Sequence, residues 1–192
     1  MKARTRMIMV ALLILAAAFA GYKIYDYYQE DSMLYRIVTQ DGYELARAGT
    51  PEAVSLEFKA QWLQTPDKKL NVPVGYGHQT LFVLEELTET SESATFSLKA
   101  IPELRKENGE FLYTTIIPAK GESVTPSTGE GWTMLDSSGS PVNVTGVRYK
   151  AGQVDGPSAR FKLEIDKSEL DKLQDGFTAA YSGFMLYSYT KN

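Results

Sequence analysis

Alternation of apolar and polar side chains is the feature that most constrains the fold of this chain. The segment AVSLEFKAQWL at 53–63 alternates without a break, and its apolar positions are Val54, Leu56, Phe58, Ala60 and Trp62. A strand with one buried face needs this period of two, whereas a helix would scatter the same residues around its axis. The residues TPE at 50–52 have the composition of a helix start, but the alternation decides for a strand over 53–63.

The same period recurs along the chain and predicts a mainly β protein. TLFVLEEL at 80–87 and ATFSLKAI at 94–101 flank the polar segment 88–93, so we expect them to pair as an antiparallel hairpin. The segment 34–48 has Asp41-Gly42 at its centre, which predicts a second hairpin because a type I′ turn needs positive φ. Further strands are predicted at 111–117, 131–136, 142–150, 160–166 and 177–189.

Helix is scarce in the sequence after the first 30 residues. Residues 168–173 have a helical pattern of one or two turns, with Ser168 as the N-cap and Gly176 as the terminating residue. Short strands joined by Gly- and Pro-rich loops predict an antiparallel β-sandwich. These turns between alternating strands resemble those of bacterial immunoglobulin-type sandwiches, and the resemblance implies a fold but no functional site.

The first 25 residues have the pattern of a targeting segment. Lys2, Arg4 and Arg6 precede an uncharged stretch over 7–22. A basic start followed by an apolar run is typical of secretory signals, and the basic side stays in the cytoplasm. The segment resembles bacterial signal anchors in general. We therefore expect the rest of the chain on the extracytoplasmic side of the membrane.

Two fates of this segment remain open from the sequence. As a helix, residues 7–22 span roughly 24 Å, and extension to residue 25 past a snorkelling Lys23 gives roughly 28 Å, close to the ~30 Å of a bilayer core. Aromatic rings would then lie in the headgroup layer, at Tyr22, Tyr25, Tyr27 and Tyr28. This pattern favours a single-pass anchor. The small residues Ala18 and Ala20 predict, as an alternative, cleavage after Ala20 and a freely secreted protein.

The chain therefore divides into four predicted parts. They are a cytoplasmic basic tail at 1–6, a membrane anchor at 7–25, a juxtamembrane linker at 26–32 and one extracytoplasmic domain at 33–192. The whole chain has 20 basic and 24 acidic residues, which become 16 and 23 without Lys2, Arg4, Arg6, Lys23 and Asp26. An acidic domain of this kind argues against a nucleic-acid partner.

Metal, cofactor and histidine chemistry find little support in the sequence. The chain has no cysteine, which excludes disulfides, thiolate catalysis and cysteine-bound zinc. His78 is the only histidine, and no G-x-S-x-G or S-x-x-K motif supplies a nucleophile for it. The segment DSSG at 136–139 could offer oxygen ligands to an ion, but its composition is that of a turn, which needs no ion. We predict no catalytic residue, no cofactor and no metal site, and interpret His78 as a polar surface residue.

Paired carboxylates are the remaining basis for an enzyme. A glycosidase needs only two acids across a cleft, and the nearest pairs are Glu85/Glu86, Glu52/Glu57 and Glu169/Asp171. Adjacent residues of a strand point to opposite faces, so Glu85 and Glu86 are not expected to act together. Such pairs are common by chance in an acidic chain.

Aromatic residues are concentrated in the last predicted strand. Tyr187 and Tyr189 share one face, and Tyr181 fits the same register. These rings either form a contact surface for a glycan or a partner protein, or fill the core of the sandwich. The pattern favours the core, and the contact surface at Tyr181, Tyr187 and Tyr189 stays as the alternative.

These patterns together predict a non-enzymatic binding or assembly module of the bacterial cell envelope. The membrane holds it through its N-terminal helix, and its partners are other envelope proteins or the wall polymer. An exported cell-wall hydrolase that uses two carboxylates is the first alternative. A freely secreted surface protein, cleaved after Ala20, is the second.

Overall fold

The structure of the chain is a computed structural model. It describes residues 15–22, 25, 33–50, 52–64, 68–113, 117, 131–144, 148–151 and 159–192. These residues are mainly strand, and the strands form two antiparallel sheets. The mainly β, antiparallel class predicted from the alternation is confirmed.

Sheet I is organised around one long strand. Its strands are β1 (Tyr43–Arg47), β2 (Glu52–Phe58), β6 (Asn108–Tyr113), β7 (Trp132–Asp136), β8 (Pro141–Val142) and β11 (Phe177–Lys191). The first half of β11 lies between β2 and β7, and its second half lies between β1 and β6. Strand β8 continues the sheet beyond β7.

Sheet II is a five-stranded sheet with a simpler order. Its strands are β3 (Lys68–Gly77), β4 (Thr80–Glu89), β5 (Ser93–Pro102), β9 (Arg148–Ala151) and β10 (Ala159–Asp166), arranged as β3-β4-β5-β10-β9. All neighbours in this sheet are antiparallel. The predicted hairpin of 80–87 with 94–101 is confirmed as β4 and β5.

Helices are short. They are α1 at residues 33–38, α2 (Ala60–Leu63) and α3 (Lys167–Leu170), which continues as a 3₁₀ turn over Asp171–Leu173. Residues 15–22 and 25 are also helical. None of the helices in the described ranges has the length and hydrophobicity that crossing a bilayer requires.

Aromatic rings from both sheets meet in one core. The Phe58 ring of sheet I lies 5.0 Å from the Phe96 ring of sheet II, between centroids. Phe184 of β11 contacts Phe82 at 4.9 Å and Phe161 at 5.7 Å. All five rings are at most 1% exposed. Edge-on and tilted contacts of this kind add to the stabilisation from burial alone, so the two sheets stabilise each other.

The predicted strand over 53–63 is wrong in its second half. Strand β2 ends at Phe58, and α2 follows at Ala60–Leu63. Trp62 and Leu63 are both buried, which adjacent residues of a half-buried strand do not permit. The chain turns here because Gly176 packs against it: a Cβ on Gly176 would lie 2.9 Å from the Phe58 carbonyl oxygen.

The predicted hairpin over 34–48 is also wrong in its first arm. Residues 33–38 form α1, and only β1 is a strand, paired with β11. Leu34 and Ile37 are buried, while Tyr35 and Arg36 between them are exposed. A spacing of three residues between buried positions is that of a helix. The segment around Gly42 therefore joins a helix to a strand.

Other predicted boundaries shift by a few residues. The strand expected at 111–117 is β6, which ends at Tyr113, and residues 114–116 lie outside the described ranges. The strand expected at 142–150 is divided into β8 and β9. Helix α3 has Asp166, not Ser168, as its N-cap, and Gly176 with φ of 92° ends the helical region as predicted.

A β-bulge in β4 corrects the expectation for Glu85 and Glu86. Leu84 is paired with Leu98 and Glu86 with Ser97, so Glu85 is an extra residue in the ladder. Leu84 and Leu87 are both fully buried on either side of the two glutamates. The bulge lets both carboxylates lie outside the core, rather than on opposite faces.

The two sheets are also joined by hydrogen bonds at the β3–β4 turn. The Thr80 hydroxyl accepts a hydrogen bond from the backbone N–H of Leu112 in β6 at 2.9 Å, and Thr80 is completely buried. His78 and Gln79 of the turn both have positive φ, at 48° and 54°. Two residues with positive φ are the geometry of the tight hairpin turns that suit twisted strands.

We expect Thr80→Val to destabilise the protein by about 1–3 kcal/mol, because it leaves the buried Leu112 N–H without an acceptor. Urea unfolding followed by tryptophan fluorescence measures this change. Thr88→Val, on the same strand but outside the core, is the matched control and should change stability by less than about 0.5 kcal/mol. Equal effects of the two substitutions would show that the Thr80 bond does not join the sheets.

Candidate functional site

A polar groove lies at the end of sheet I where β11 begins. Its volume is about 480 Å³. Three separate segments line it: the end of β2 with the start of α2, the β7–β8 turn, and the junction of the 3₁₀ turn with β11. The side chains that give it its charge are Glu57, Lys59, Asp136 and Asp175. We call this feature the groove.

The floor of the groove is fixed by the start of β11. Phe177 is paired with Phe58 of β2 on one side and with Asp136 of β7 on the other. The Phe58 and Phe177 rings are stacked with centroids 4.6 Å apart. Because both neighbouring strands end here, their last residues and the β7–β8 turn project beyond the sheet and form the walls.

Asp136 organises the β7–β8 turn. Its Oδ1 accepts hydrogen bonds from the Ser138 N–H at 2.9 Å, the Ser138 hydroxyl at 2.6 Å and the Ser140 N–H at 2.9 Å. The Ser138 hydroxyl, and after it the Ser140 N–H, hold the pKa of the Asp136 carboxyl below its ordinary value. The group is therefore held as a carboxylate, which suits binding of a cation better than donation of a proton.

The other charged groups of the groove are accessible. Glu57, Lys59 and Asp175 are exposed. The Lys59 ammonium lies 5.7 Å from the centroid of the Trp62 ring, within cation–π range. The groove thus presents three carboxylates around one ammonium that is held to one side. Such a surface can bind cationic or hydroxyl-rich groups by hydrogen bonds and charge.

Within the part of the chain that the structure describes, no group of three or more His, Asp or Glu side chains is arranged to hold a metal ion. The DSSG turn uses its carboxylate oxygen Oδ1 for its own backbone and hydroxyl groups. The turn is therefore complete as a hydrogen-bonded unit.

His78 lies at the opposite end of the sheets and is paired. Its Nδ1 is 2.9 Å from Oε1 of Glu110 in β6, and both side chains are partly exposed. The nearest hydroxyl in the turn, that of Thr80, donates to the His78 carbonyl and accepts from Leu112, so it is not a free nucleophile. The pair connects the β3–β4 turn to sheet I. The sequence did not indicate Glu110 as the partner, because 32 residues separate the two in the chain.

The carboxylate pairs that the sequence suggested lie in different surroundings, and several of these carboxylates form ion pairs. Glu85 receives the Arg160 guanidinium, with Nε at 3.0 Å from Oε2. Glu169 is bound by Lys172 at 2.7 Å. Glu57 lines the groove, whereas Glu52 lies opposite Phe184 at the bend of β11. The structure instead brings together Glu57, Asp136 and Asp175, which no sequence spacing indicated.

The three tyrosines of the alternative contact surface belong to the core. Tyr181, Tyr187 and Tyr189 are at most 2% exposed, so the interpretation as a contact surface is wrong and the core interpretation is confirmed. The Tyr187 hydroxyl accepts a hydrogen bond from the buried Ile117 N–H at 2.7 Å, and the Tyr189 hydroxyl accepts one from the Arg105 N–H at 2.7 Å. Burial raises the pKa of both phenols. Their alternation indicated burial but not these partners.

The predicted membrane-interface residues are only partly within the described ranges. Tyr22 and Tyr25 are helical and exposed, as are Leu15 and Phe19 before them. The others, Lys2, Arg4, Arg6, Lys23, Tyr27 and Tyr28, lie outside the described residues.

Comparison of the chain with protein-family models, with curated proteins and with solved structures found no match.

We expect Asp136→Asn to lower the stability at neutral pH and to reduce its dependence on pH. Because the pKa of Asp136 is lower in the folded state, its contribution is present above the ordinary pKa and is lost as the pH falls through the folded value. Urea midpoints at about pH 7 and about pH 3 measure both effects. The unsubstituted protein, measured in parallel at both pH values, is the reference. An unchanged pH dependence in Asp136→Asn would contradict the assignment.

Proposed function

We propose that the protein is a non-enzymatic binding or assembly module of the bacterial cell envelope, anchored in the cytoplasmic membrane by residues 7–25. The basic start and the uncharged stretch over 7–22 support the anchor and its orientation. The exposed apolar side chains of the helical residues 15–22 agree with a lipid environment. The domain after residue 33 is then extracytoplasmic.

The groove is the surface that we assign to the partner, and its position relative to the anchor carries the proposal. Helix α1 begins the domain, and strand β1 after it pairs Tyr43 with Lys191, at the end of β11. The groove lies at the other end of β11, beside Phe177. A strand of 15 residues spans roughly 50 Å at about 3.3 Å per residue.

A short connection keeps these two ends distinct. Residues 26–32 reach at most about 25 Å even when fully extended. The linker joins α1, which lies beside β1, because the Arg36 guanidinium is 5.8 Å from the centroid of the Tyr43 ring. We infer that the end of the domain at Tyr43 and Lys191, which we call the tether end, stays close to the bilayer. We infer that the end with the groove, the groove end, points away from the membrane toward other envelope components.

The chemistry of the groove indicates the class of partner. Its three carboxylates favour a segment that carries amino or guanidinium groups, from an envelope protein or from the wall polymer. Tethering confines the domain to a thin layer, so a weak contact gains from the raised effective concentration. The acidic groove and domain do not favour nucleic acid.

We also propose that the two sheets form a sandwich of the immunoglobulin type. The shared aromatic core between antiparallel sheets supports a sandwich. The strand order of sheet I differs from the usual immunoglobulin order, because β11 pairs with four strands.

Site-specific crosslinking tests the groove as the contact surface. The chain has no cysteine, so Ser137→Cys provides a single attachment point for a photo-crosslinker in the groove and retains its carboxylates. Lys162→Cys, exposed on β10 of sheet II, is the control. We expect one stoichiometric adduct from position 137 in intact membranes and none from position 162. Asp175→Lys should weaken co-isolation of the same partner at least about tenfold, or 1.4 kcal/mol.

Two results would contradict this function. The first is repeated isolation of the intact protein from detergent-solubilised membranes as a monomer without any partner. The second is turnover of purified cell wall that is lost on alanine substitution of Glu57, Asp136 or Asp175. That second result would favour the hydrolase alternative, in which two of the three carboxylates that line the groove would act as the acid and the base.

A further inference from the structure

One edge of sheet I has no neighbour in the described part of the molecule. Strand β1 pairs with β11 on one side, and no described strand pairs with its other side. We call this unpaired side of β1 the open edge. Such an edge is a row of backbone N–H and C=O groups that can serve as a template for one more strand.

The hydrogen bonds at the two ends of β1 show which residues face the open edge. The Ala48 N–H donates to the Leu186 carbonyl at 2.9 Å, and the Asn192 N–H donates to the Gly42 carbonyl at 3.1 Å. Bonded and non-bonded pairs alternate along an antiparallel ladder, so the even-numbered residues of β1 direct their backbone groups to β11. The odd-numbered residues, which are Tyr43, Leu45 and Arg47, therefore direct theirs to the open edge.

The backbone groups at the open edge are free. Within the described ranges, the backbone N–H and C=O groups of Tyr43, Leu45 and Arg47 have no hydrogen-bond partner beyond the β1–β11 ladder. Each of these residues carries one donor and one acceptor. An added antiparallel strand would therefore find both a donor and an acceptor at every second residue of β1.

The other strand edges in the described sheets are covered, interrupted or short. Strand β3 lies against β2, where a Cβ on Gly75 would be 2.8 Å from the Ser55 carbonyl oxygen. The β3–β4 turn covers β6, since the Thr80 hydroxyl binds the Leu112 N–H. Strand β3 is itself interrupted by Pro73 and by two register shifts, and β8 and β9 have only two and four residues. Strand β1 has neither a proline nor a register shift, so it lacks these usual protections against strand addition.

The side chains of β1 indicate what an added strand would carry. Glu44 and Arg47 are exposed and have opposite charges, and Leu45 between them is partly buried. In an antiparallel pair, opposite charges directly across from each other are favourable and like charges are unfavourable. An apolar side chain fits opposite Leu45. From its N-terminus, the added strand would therefore carry an acidic residue, any residue, an apolar residue and a basic residue.

The position of the open edge decides between two occupants. Strand β1 lies at the tether end, close to the bilayer. A second copy of this chain would add its own β1 in the antiparallel direction, which would reverse its β11 and point one groove end toward the bilayer. A segment next to the transmembrane span of another protein would reach the open edge without this reversal.

We propose that β1 accepts an extended juxtamembrane segment of a second membrane protein as an added antiparallel strand. The segment places an acidic, an apolar and a basic side chain opposite Arg47, Leu45 and Glu44. Backbone hydrogen bonds supply the affinity, and the side chains set the register. This inference rests on the proposed anchor, and the test below separates the two.

The test presents such a segment on a lipid surface. The full chain is reconstituted in phosphatidylcholine vesicles with a donor fluorophore at Asn192→Cys, an exposed position at the tether end. Short peptides that contain Glu-Thr-Val-Lys, or the exchanged order Lys-Thr-Val-Glu, are attached to a lipid at one end and carry an acceptor at the other. Energy transfer as a function of peptide density measures binding. We expect about tenfold tighter binding of the first peptide, because two cross-strand pairs change from opposite to like charge in the second.

Substitutions in β1 show whether the peptide binds at the open edge. Arg47→Pro removes an outward N–H and should abolish binding of the first peptide, while the ladder to β11 keeps its hydrogen bonds. Arg47→Ala keeps the N–H and is the control, so it should bind this peptide more tightly than Arg47→Pro does. Glu44→Arg combined with Arg47→Glu should reverse the preference between the two peptides, which damage to the fold would not do.

Urea unfolding checks the direction of the backbone groups independently of any partner. Arg47→Pro should unfold at nearly the same urea concentration as Arg47→Ala. Ala46→Pro should unfold at a clearly lower concentration, because residue 46 directs its N–H to β11. Equal midpoints for the two proline variants would show that the open edge is wrongly assigned.

Three other outcomes overturn the proposal. If the protein sediments with the vesicles but binds both peptides equally, or neither, the anchor is retained and strand addition is wrong. Energy transfer between donor- and acceptor-labelled copies of the protein without peptide, if Arg47→Pro removes it, would assign the open edge to a second copy instead. If the protein does not sediment with the vesicles, the anchor and the juxtamembrane occupant are both wrong.

Discussion

Strand β11 is the constraint on which the rest of the structure depends. Its first half is hydrogen-bonded to β2 and β7, and its second half is hydrogen-bonded to β1 and β6. One continuous strand therefore joins these two pairs of strands. The ladder shifts between Tyr181 and Phe184, where the strand passes from one pair to the other. Gly183 makes this shift possible, because a Cβ there would collide with the Tyr181 ring. The Phe184 ring then enters the core between the sheets.

The length of this strand separates the two functional ends of the domain. Strand β1 pairs with β11 up to Lys191, and the groove forms beside Phe177, at the other end of β11. Sheet II adds to the separation, because its β3–β4 turn is bound at the tether end and its β4–β5 turn lies at the other. Carboxylates and a hydrogen-bonded turn mark the groove end.

Alternation of apolar and polar residues was sufficient to predict the strands in which one face is buried along the whole length. In β5 and β10, the outward polar residues and inward apolar residues continue to the ends of the strands, and both were predicted closely. Alternation misled at Ala60 and Trp62, where a tight approach of Gly176 ends the strand. At 34–40 the Asp41-Gly42 turn signal misled instead, because it suggested a hairpin where the spacing of the buried residues Leu34 and Ile37 is that of a helix.

The candidate site could not be predicted from the sequence, for a different reason. Glu57, Asp136 and Asp175 come from three segments, and only their pairing with the start of β11 brings them to one groove. The same is true of His78 and Glu110, which belong to different sheets. These contacts depend on the register between strands that are far apart in the sequence. The periodicity of a single segment gives no information about that register. The burial of Tyr181, Tyr187 and Tyr189 was predictable, since it follows from their register on one strand.

Native-state hydrogen exchange of the β11 amides tests the central claim most directly. If β11 holds the groove end and the tether end as one unit, the most protected amides in 177–181 and in 185–190 should exchange only through global unfolding. Their opening free energies should then agree within about 0.5 kcal/mol. Contradiction would come from a clearly lower opening free energy in 177–181, because the groove end would then open independently of the tether end.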